Sequence, residues 1–162
     1  MLKFLFSRIP ENIAQQPNIL LIDDDRDIRT VTNLVLLTQG IRNVIEASTG
    51  REGIEAARSH RPDAILLDMK LPDLSGETVL KLLRADPWTR DIPVMLFTAF
   101  AGDLSRLRAL DVTEIVLKPF QPQRLCDVIR RSLGSGNSGS MRTPVNPVSK
   151  GSVSHVTAGA TA

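Results

Sequence analysis

The sequence has no tyrosine, one tryptophan, one cysteine and only 4% aromatic residues. The lone Cys126 rules out an internal disulfide framework and any cluster of cysteines around zinc, which suits a reducing compartment. No apolar run approaches the roughly 18–20 residues of a membrane-spanning helix. The N-terminal MLKFLFSRI breaks at Ser7, Arg8 and Pro10, short of a signal-peptide core. Lysine and arginine form no run interleaved with aromatics, so nucleic-acid binding is not expected of the chain by itself. Basic side chains outnumber acidic ones by 20 to 18, yet residues 18–133 hold 16 basic and 17 acidic, leaving the surplus at the two ends. A cytoplasmic protein without a membrane span is expected.

What is present is ordinary globular material, 42% hydrophobic and 23% charged over 162 residues, sufficient for one compact domain. Three segments separate by composition. Residues 1–17 are a leader, 18–133 the folded unit, and 134–162 a Ser/Gly/Pro-rich tail with no acidic residue, expected to be flexible.

Within 18–133, short apolar runs alternate with amphipathic stretches. Asn18–Ile22, Asn43–Ala47, Ala64–Leu67, Pro93–Phe97 and Glu114–Leu117 read as strands. Arg26–Thr38, with Gly40 beyond it, carries apolar residues at helical spacing. Thr49 and Glu52 form a capping box for a helix reaching Ser59, and Ser75 or Gly76 opens another that ends before Pro87. Asp103–Leu110 reads as a brief fourth helix, and Pro122–Leu133 as the last, with Gly134 as its stop. The sum is (βα)5. Strands this short and this apolar suit a parallel sheet covered on both faces, and an open doubly wound sheet is the favoured arrangement. Trp88 reads as a packing anchor for its loop, Asp73 as a turn residue after Pro72, and Asp25 and Asp27 as the cap and first-turn charge of the first helix.

In open α/β sheets, ligands bind beyond the carboxyl ends of the strands. Here the apolar runs end in Asp23-Asp24-Asp25, Asp68, Thr98 and Lys118-Pro119. With the first and third strands adjacent, several carboxylates and one ammonium meet at one edge. Crowded carboxylates repel unless a cation joins them. A hard divalent ion with oxygen ligands is the natural partner, and Mg2+ commonly combines one or two carboxylates with a substrate phosphate.

LLIDDD (20–25), PDAILLDMKLPDLSGETVLKLLR (62–84), IPVMLFTA (92–99) and VLKPF (116–120) together resemble the receiver domain of two-component response regulators. Asp24 to Asp68 spans 44 residues and Asp68 to Thr98 spans 30, in keeping with that family. The resemblance implies a flavodoxin-like fold with strand order 2-1-3-4-5. It also implies phosphoryl transfer from a histidine kinase or histidine phosphotransfer protein to Asp68. Carried over by position, Asp23, Asp24, Asp68 and the Lys70 backbone carbonyl would hold Mg2+ or Mn2+, Thr98 and Lys118 would contact the phosphoryl oxygens, and the Lys118-Pro119 bond would be cis. The product would signal to a downstream protein through the face built from the fourth helix, fifth strand and last helix. On this reading the protein is not an enzyme beyond its own phosphorylation and dephosphorylation.

Two departures stand out. The position three residues before Lys118, aromatic in the family, is Ile115, so no ring can swing inward there. The span from Thr98 to Lys118 is also shorter than the resemblance implies. Both features keep a second reading open, a receiver-like adaptor that works without phosphorylation. An Asp-nucleophile phosphatase is a third, but Lys70 stands where such an enzyme needs an acid/base Asp.

The residues two beyond Asp68 and Thr98 are Lys70 and Phe100, and their bulk is expected to shield an acyl phosphate from water. Label on the phosphorylated wild type should therefore outlast label on Phe100→Ala severalfold. Equal half-lives in a timed loss-of-label assay would remove Phe100 from that role.

Overall fold

The computed structural model describes residues 16–99 and 107–135. Five strands, β1 (Asn18–Ile22), β2 (Asn43–Ala47), β3 (Ala64–Leu67), β4 (Val94–Thr98) and β5 (Glu114–Leu117), form one parallel sheet in the order β2-β1-β3-β4-β5. Four helices lie among the described residues: α1 (Arg26–Thr38), α2 (Gly50–His60), α3 (Gly76–Ala85) and α4 (Pro122–Ser135). This is the doubly wound, flavodoxin-like arrangement expected. The first half of the helix expected over Asp103–Leu110 lies outside the described residues, and of the second half Leu107 and Arg108 are helical while Ala109 and Leu110 have left the helix. The leader through residue 15, Phe100 and the tail from residue 136 also lie outside.

Side chains alternate across a strand, so each strand feeds two cores. Ile19, Leu21, Leu66, Met95, Phe97 and Val116 pack with Leu36 of α1 and Leu125, Val128 and Ile129 of α4. Leu20, Ile22, Ile65, Leu67, Val94 and Leu96 pack on the other face with Ala57 of α2 and Val79, Leu80 and Leu83 of α3. Nearly all of these side chains are fully buried, and each one larger than alanine is worth about 1.5–3 kcal/mol when removed from water. The sheet is thus a stiff platform with helices on both sides.

Local chemistry sets the helix starts. The Asp25 carboxylate accepts from the Asp27 and Ile28 amides at 2.9 and 3.1 Å, and Thr49 and Ser75 cap α2 and α3 in the same manner. The Glu52 carboxylate reaches back to the amide and hydroxyl of Ser48, at 2.9 and 2.8 Å. Cys126 is buried in the α1/α4 core, where desolvation pushes its thiol above the ordinary range and keeps it unreactive.

Three expectations need correction. β4 begins one residue late and runs through Thr98, because Pro93 has no amide to offer and contributes only its carbonyl, to Ile65 N at 2.9 Å. α4 continues through Gly134 to Ser135, since Gly134 does not take the left-handed conformation that would end the helix. Trp88 is no buried anchor: it is 65% exposed, and the Arg61 guanidinium lies over its ring at 4.3 Å.

Gly53 lets α2 approach β1 closely. A Cβ at this position would lie 2.4 Å from Ile22 Cδ1 and 2.8 Å from its Cγ1. Gly53→Ala should cost about 1–3 kcal/mol in urea denaturation through overpacking. Adding Ile22→Val removes the nearest clashing carbon, so the double variant should lose less than the sum of the two single losses.

Candidate functional site

The parallel register decides which side chains meet. Ile22 pairs with Leu67, so the residues that follow them, Asp23 and Asp68, leave the sheet at one level. The Asp68 amide donates to Ile22 O at 2.9 Å, and the Asp23 amide to Ala47 O at 3.0 Å. On the other side Thr98 pairs with Leu117, and the Lys118 amide donates to Thr98 O at 2.8 Å. Four chain segments therefore converge on the carboxyl edge of the sheet.

Asp23 is fully buried, Asp68 is 7% exposed, and Asp24 is exposed. One carboxylate oxygen from each can be chosen so that all three lie within 4.8 Å of one another. The Lys118 ammonium donates to Asp23 Oδ2 and, at 2.6 Å, to Asp68 Oδ2. It also sits 4.8 Å from the centroid of the Phe97 ring. The second oxygens are occupied by backbone: Asp25 N donates to Asp23 Oδ1 at 3.0 Å, and Lys70 N donates to Asp68 Oδ1 at 3.1 Å. Thr98 is buried at the end of β4, and the Lys118-Pro119 bond is cis. The residues singled out from the sequence, Asp23, Asp24, Asp68, Lys70, Thr98 and Lys118, thus lie along one edge.

Burial pushes the Asp23 carboxyl above the ordinary aspartate range. Hydrogen bonds from Lys118 and the Asp25 amide pull it down but do not cancel the desolvation, and the nearby Asp68 charge adds to the rise. The site holds more negative charge than its one ammonium balances.

Three supporting residues have no local signature in the sequence. Asp73 is more than a turn residue. Its carboxylate crosses to the start of α2 and accepts from Gly50 N and Arg51 N at 2.7 and 2.9 Å, tying the loop after β3 to a helix 22 residues upstream. Partial desolvation works against ionisation there, but the Arg51, Gly50 and Leu74 amides outweigh it and hold the carboxyl below its ordinary range. Gly76 lets α3 press against the phosphoacceptor candidate: a Cβ would stand 2.5 Å from Asp68 O and 2.7 Å from Met69 Cα. Arg29 extends over the acidic loop and donates to Asp23 O at 2.7 Å and Asp24 O at 3.2 Å.

Comparison with known proteins agrees with this geometry. Residues 19–130 match the family model of the response regulator receiver domain. The chain is 35% identical over 120 residues to the polar-differentiation response regulator DivK of Brucella anthropi, covering 73% of this chain and 98% of DivK. It is 38% identical over 122 residues to the transcriptional regulatory protein AfsQ1 of Streptomyces coelicolor, covering 74% of this chain but only 52% of that longer protein. Among solved structures, the receiver domain of the sensor histidine kinase PA1611 from Pseudomonas aeruginosa, which has a magnesium ion in its active-site cleft, superposes with a TM-score of 0.67 at 30% identity, covering 73% of this chain and 98% of that one. The chemotaxis response regulator CheY4 of Vibrio cholerae gives 0.65 at 25% identity, covering 72% and 98%. The chain belongs to the response regulator receiver family of two-component signalling.

The raised Asp23 carboxyl predicts a trade between stability and site chemistry. A carboxylate whose folded pKa lies above its unfolded value lowers stability at neutral pH, and the penalty fades as pH falls through the folded pKa. With a chelator present, Asp23→Asn should therefore unfold at higher urea than wild type near neutrality. The gap should close on acidification. A variant less stable than wild type at neutral pH would contradict this account.

Proposed function

We propose that the site takes a phosphoryl group from a phosphohistidine donor onto a carboxylate oxygen of Asp68, with Mg2+ or Mn2+ required. The carrying observation is the Lys118 ammonium donating to both Asp23 and Asp68 beside a third carboxylate, that of Asp24. The three carboxylates form an all-oxygen set, which matches a hard divalent ion. Asp23, Asp24, Asp68 and the Lys70 carbonyl are the groups that would hold it, and when bound it supplies positive charge to the transferring phosphoryl oxygens.

In the transfer, an Asp68 carboxylate oxygen forms the new P–O bond in line as the P–N bond to the donor imidazole breaks. The bonding pair leaves with the imidazole nitrogen. Lys118 stabilises negative charge on the transferring group and keeps it beside Asp68, and the Thr98 hydroxyl donates to another phosphoryl oxygen. Asp68 is held ready by the hydrogen bond from its amide to Ile22 O of β1 and by Lys70 N, so its attack needs little reorganisation.

The partners on this reading are a histidine kinase or histidine phosphotransfer protein upstream and a protein target downstream, in the cytoplasm. Among the described residues no helix is long and apolar enough to cross a membrane. The protein turns over no separate substrate. Ile115 packs partly buried against the α2/α3 core, so a signal passing through this strand would move packed aliphatic surface and not a ring.

Incubation with acetyl phosphate and Mg2+, followed by intact mass measurement, tests the proposal. One added phosphoryl group is expected, lost with chelator and absent in Asp68→Ala. Modification that survives Asp68→Ala would move the acceptor elsewhere. No modification of wild type under any divalent ion would favour the phosphorylation-independent adaptor.

A further inference from the structure

Arg29 of α1 is joined to two parts of the molecule at once. Its Nη1 donates to the carbonyl oxygens of Asp23 and Asp24, at 2.7 and 3.2 Å. Its Nε donates to Glu46 Oε2 of β2 at 3.1 Å, and the other Glu46 oxygen accepts from Asn33 Nδ2 at 2.9 Å. The Arg29 side chain is 15% exposed. Asn33, Glu46 and Arg29 form a continuous brace from α1 across β2 to the acidic loop.

The two carbonyls that Arg29 holds belong to the peptide units on either side of the Asp24 Cα. Fixing both planes fixes φ and ψ of Asp24, and so fixes the direction of its Cβ. This matters because the Asp24 carboxylate is exposed and makes no hydrogen bond of its own among the described residues, unlike Asp23 and Asp68. Among the described residues nothing else orients it.

We propose that Arg29 is a positioning residue that aims the Asp24 carboxylate at the divalent cation, with Glu46 holding the guanidinium in place. The inference deepens the reading of the site given above and rests on it. It also assigns the side chain a role opposite to its bare charge, because a guanidinium near a cation site repels the ion. The benefit must come from geometry. Lysine cannot replace it, since a single ammonium lacks the planar fork that serves Glu46 with one nitrogen and both carbonyls with another.

The test is calorimetric titration of the full chain with MgCl2, comparing wild type, Asp24→Asn, Arg29→Lys, Arg29→Ala and Glu46→Gln, with circular dichroism and urea unfolding on each. Groups that orient metal ligands commonly change affinity 10–100-fold when removed. Both Arg29 variants should bind Mg2+ about tenfold more weakly than wild type, and Glu46→Gln, which leaves the loop contacts intact but removes the negative charge and one of the two oxygens shared by Arg29 and Asn33, should fall between. Arg29→Lys keeping wild-type affinity would show that charge alone suffices and overturn the proposal. Tighter binding by Arg29→Ala would show that repulsion dominates, with the same result. Should the Arg29 variants fail to fold, Glu46→Gln decides, since affinity unchanged from wild type there removes the brace. A wild type that binds no Mg2+, or binds it equally well as Asp24→Asn, would instead sink the underlying reading of the site.

Discussion

A single ammonium, that of Lys118, shares the carboxyl edge of the sheet with three carboxylates, two of them buried. Isolated charges do not survive in such a place without partners. The Asp23 and Asp68 carboxylates persist because Lys118 bonds to both and because backbone amides of Asp25 and Lys70 take their remaining oxygens. The balance is nevertheless incomplete, as the raised Asp23 carboxyl shows. An excess of negative charge in a partly dry cleft is unfavourable for folding and favourable for recruiting a cation. The apolar cores on both faces of the sheet supply the stability that allows this.

Everything around the site serves to hold that excess in place. The parallel register delivers Asp23 and Asp68 at one height, and the β4/β5 register delivers Thr98 and Lys118 opposite them. Gly76 allows α3 to start against the Asp68 and Met69 backbone, and its amide donates to Met69 O at 3.0 Å. A side chain there would push on the peptide that carries the acceptor candidate. Asp73 ties the same loop to the start of α2, so the loop is fastened at both ends. Backbone contacts of this kind fix direction more firmly than side-chain packing, because two peptide planes determine where a Cβ points.

Much of this was legible in the sequence, and for a physical reason. Strands buried on both faces must be apolar throughout, and each ends where a polar group leaves the sheet. The boundaries at Ile22, Leu67 and Leu117 are therefore the points where Asp23, Asp68 and Lys118 begin. The capping residues Asp25, Thr49 and Ser75 act within three positions of themselves and are equally readable. Gly134 misled because glycine can end a helix but is not obliged to. Trp88 misled because a large ring can lie on the surface when a cation such as Arg61 covers one face. Arg29 with Glu46 and Asp73 with Gly50 were not legible, since those pairs are 17 and 23 residues apart and meet only once the sheet has formed.

The same division of labour bears on how a receiver domain with Ile115 in place of a ring would transmit a change at Asp68. Adding a phosphoryl group would give Lys118 a new anionic partner in competition with Asp23, and Lys118 is covalently next to β5. Its neighbours along that strand face opposite cores: Val116 packs with Phe97 and α4, and Ile115 packs with the α2/α3 face. A shift of the Lys118 backbone would be felt first at Phe97, which contacts the ammonium on one side and Phe120 on the other, with ring centroids 4.9 Å apart. Among the described residues this aromatic pair lies on the α4 face of the sheet, opposite the face on which the aliphatic position 115 packs. Close-packed cores switch between discrete arrangements and do not deform smoothly. Phe97 and Phe120 thus join the Lys118 ammonium to the α4 face by direct contact, an aromatic connection that does not involve position 115.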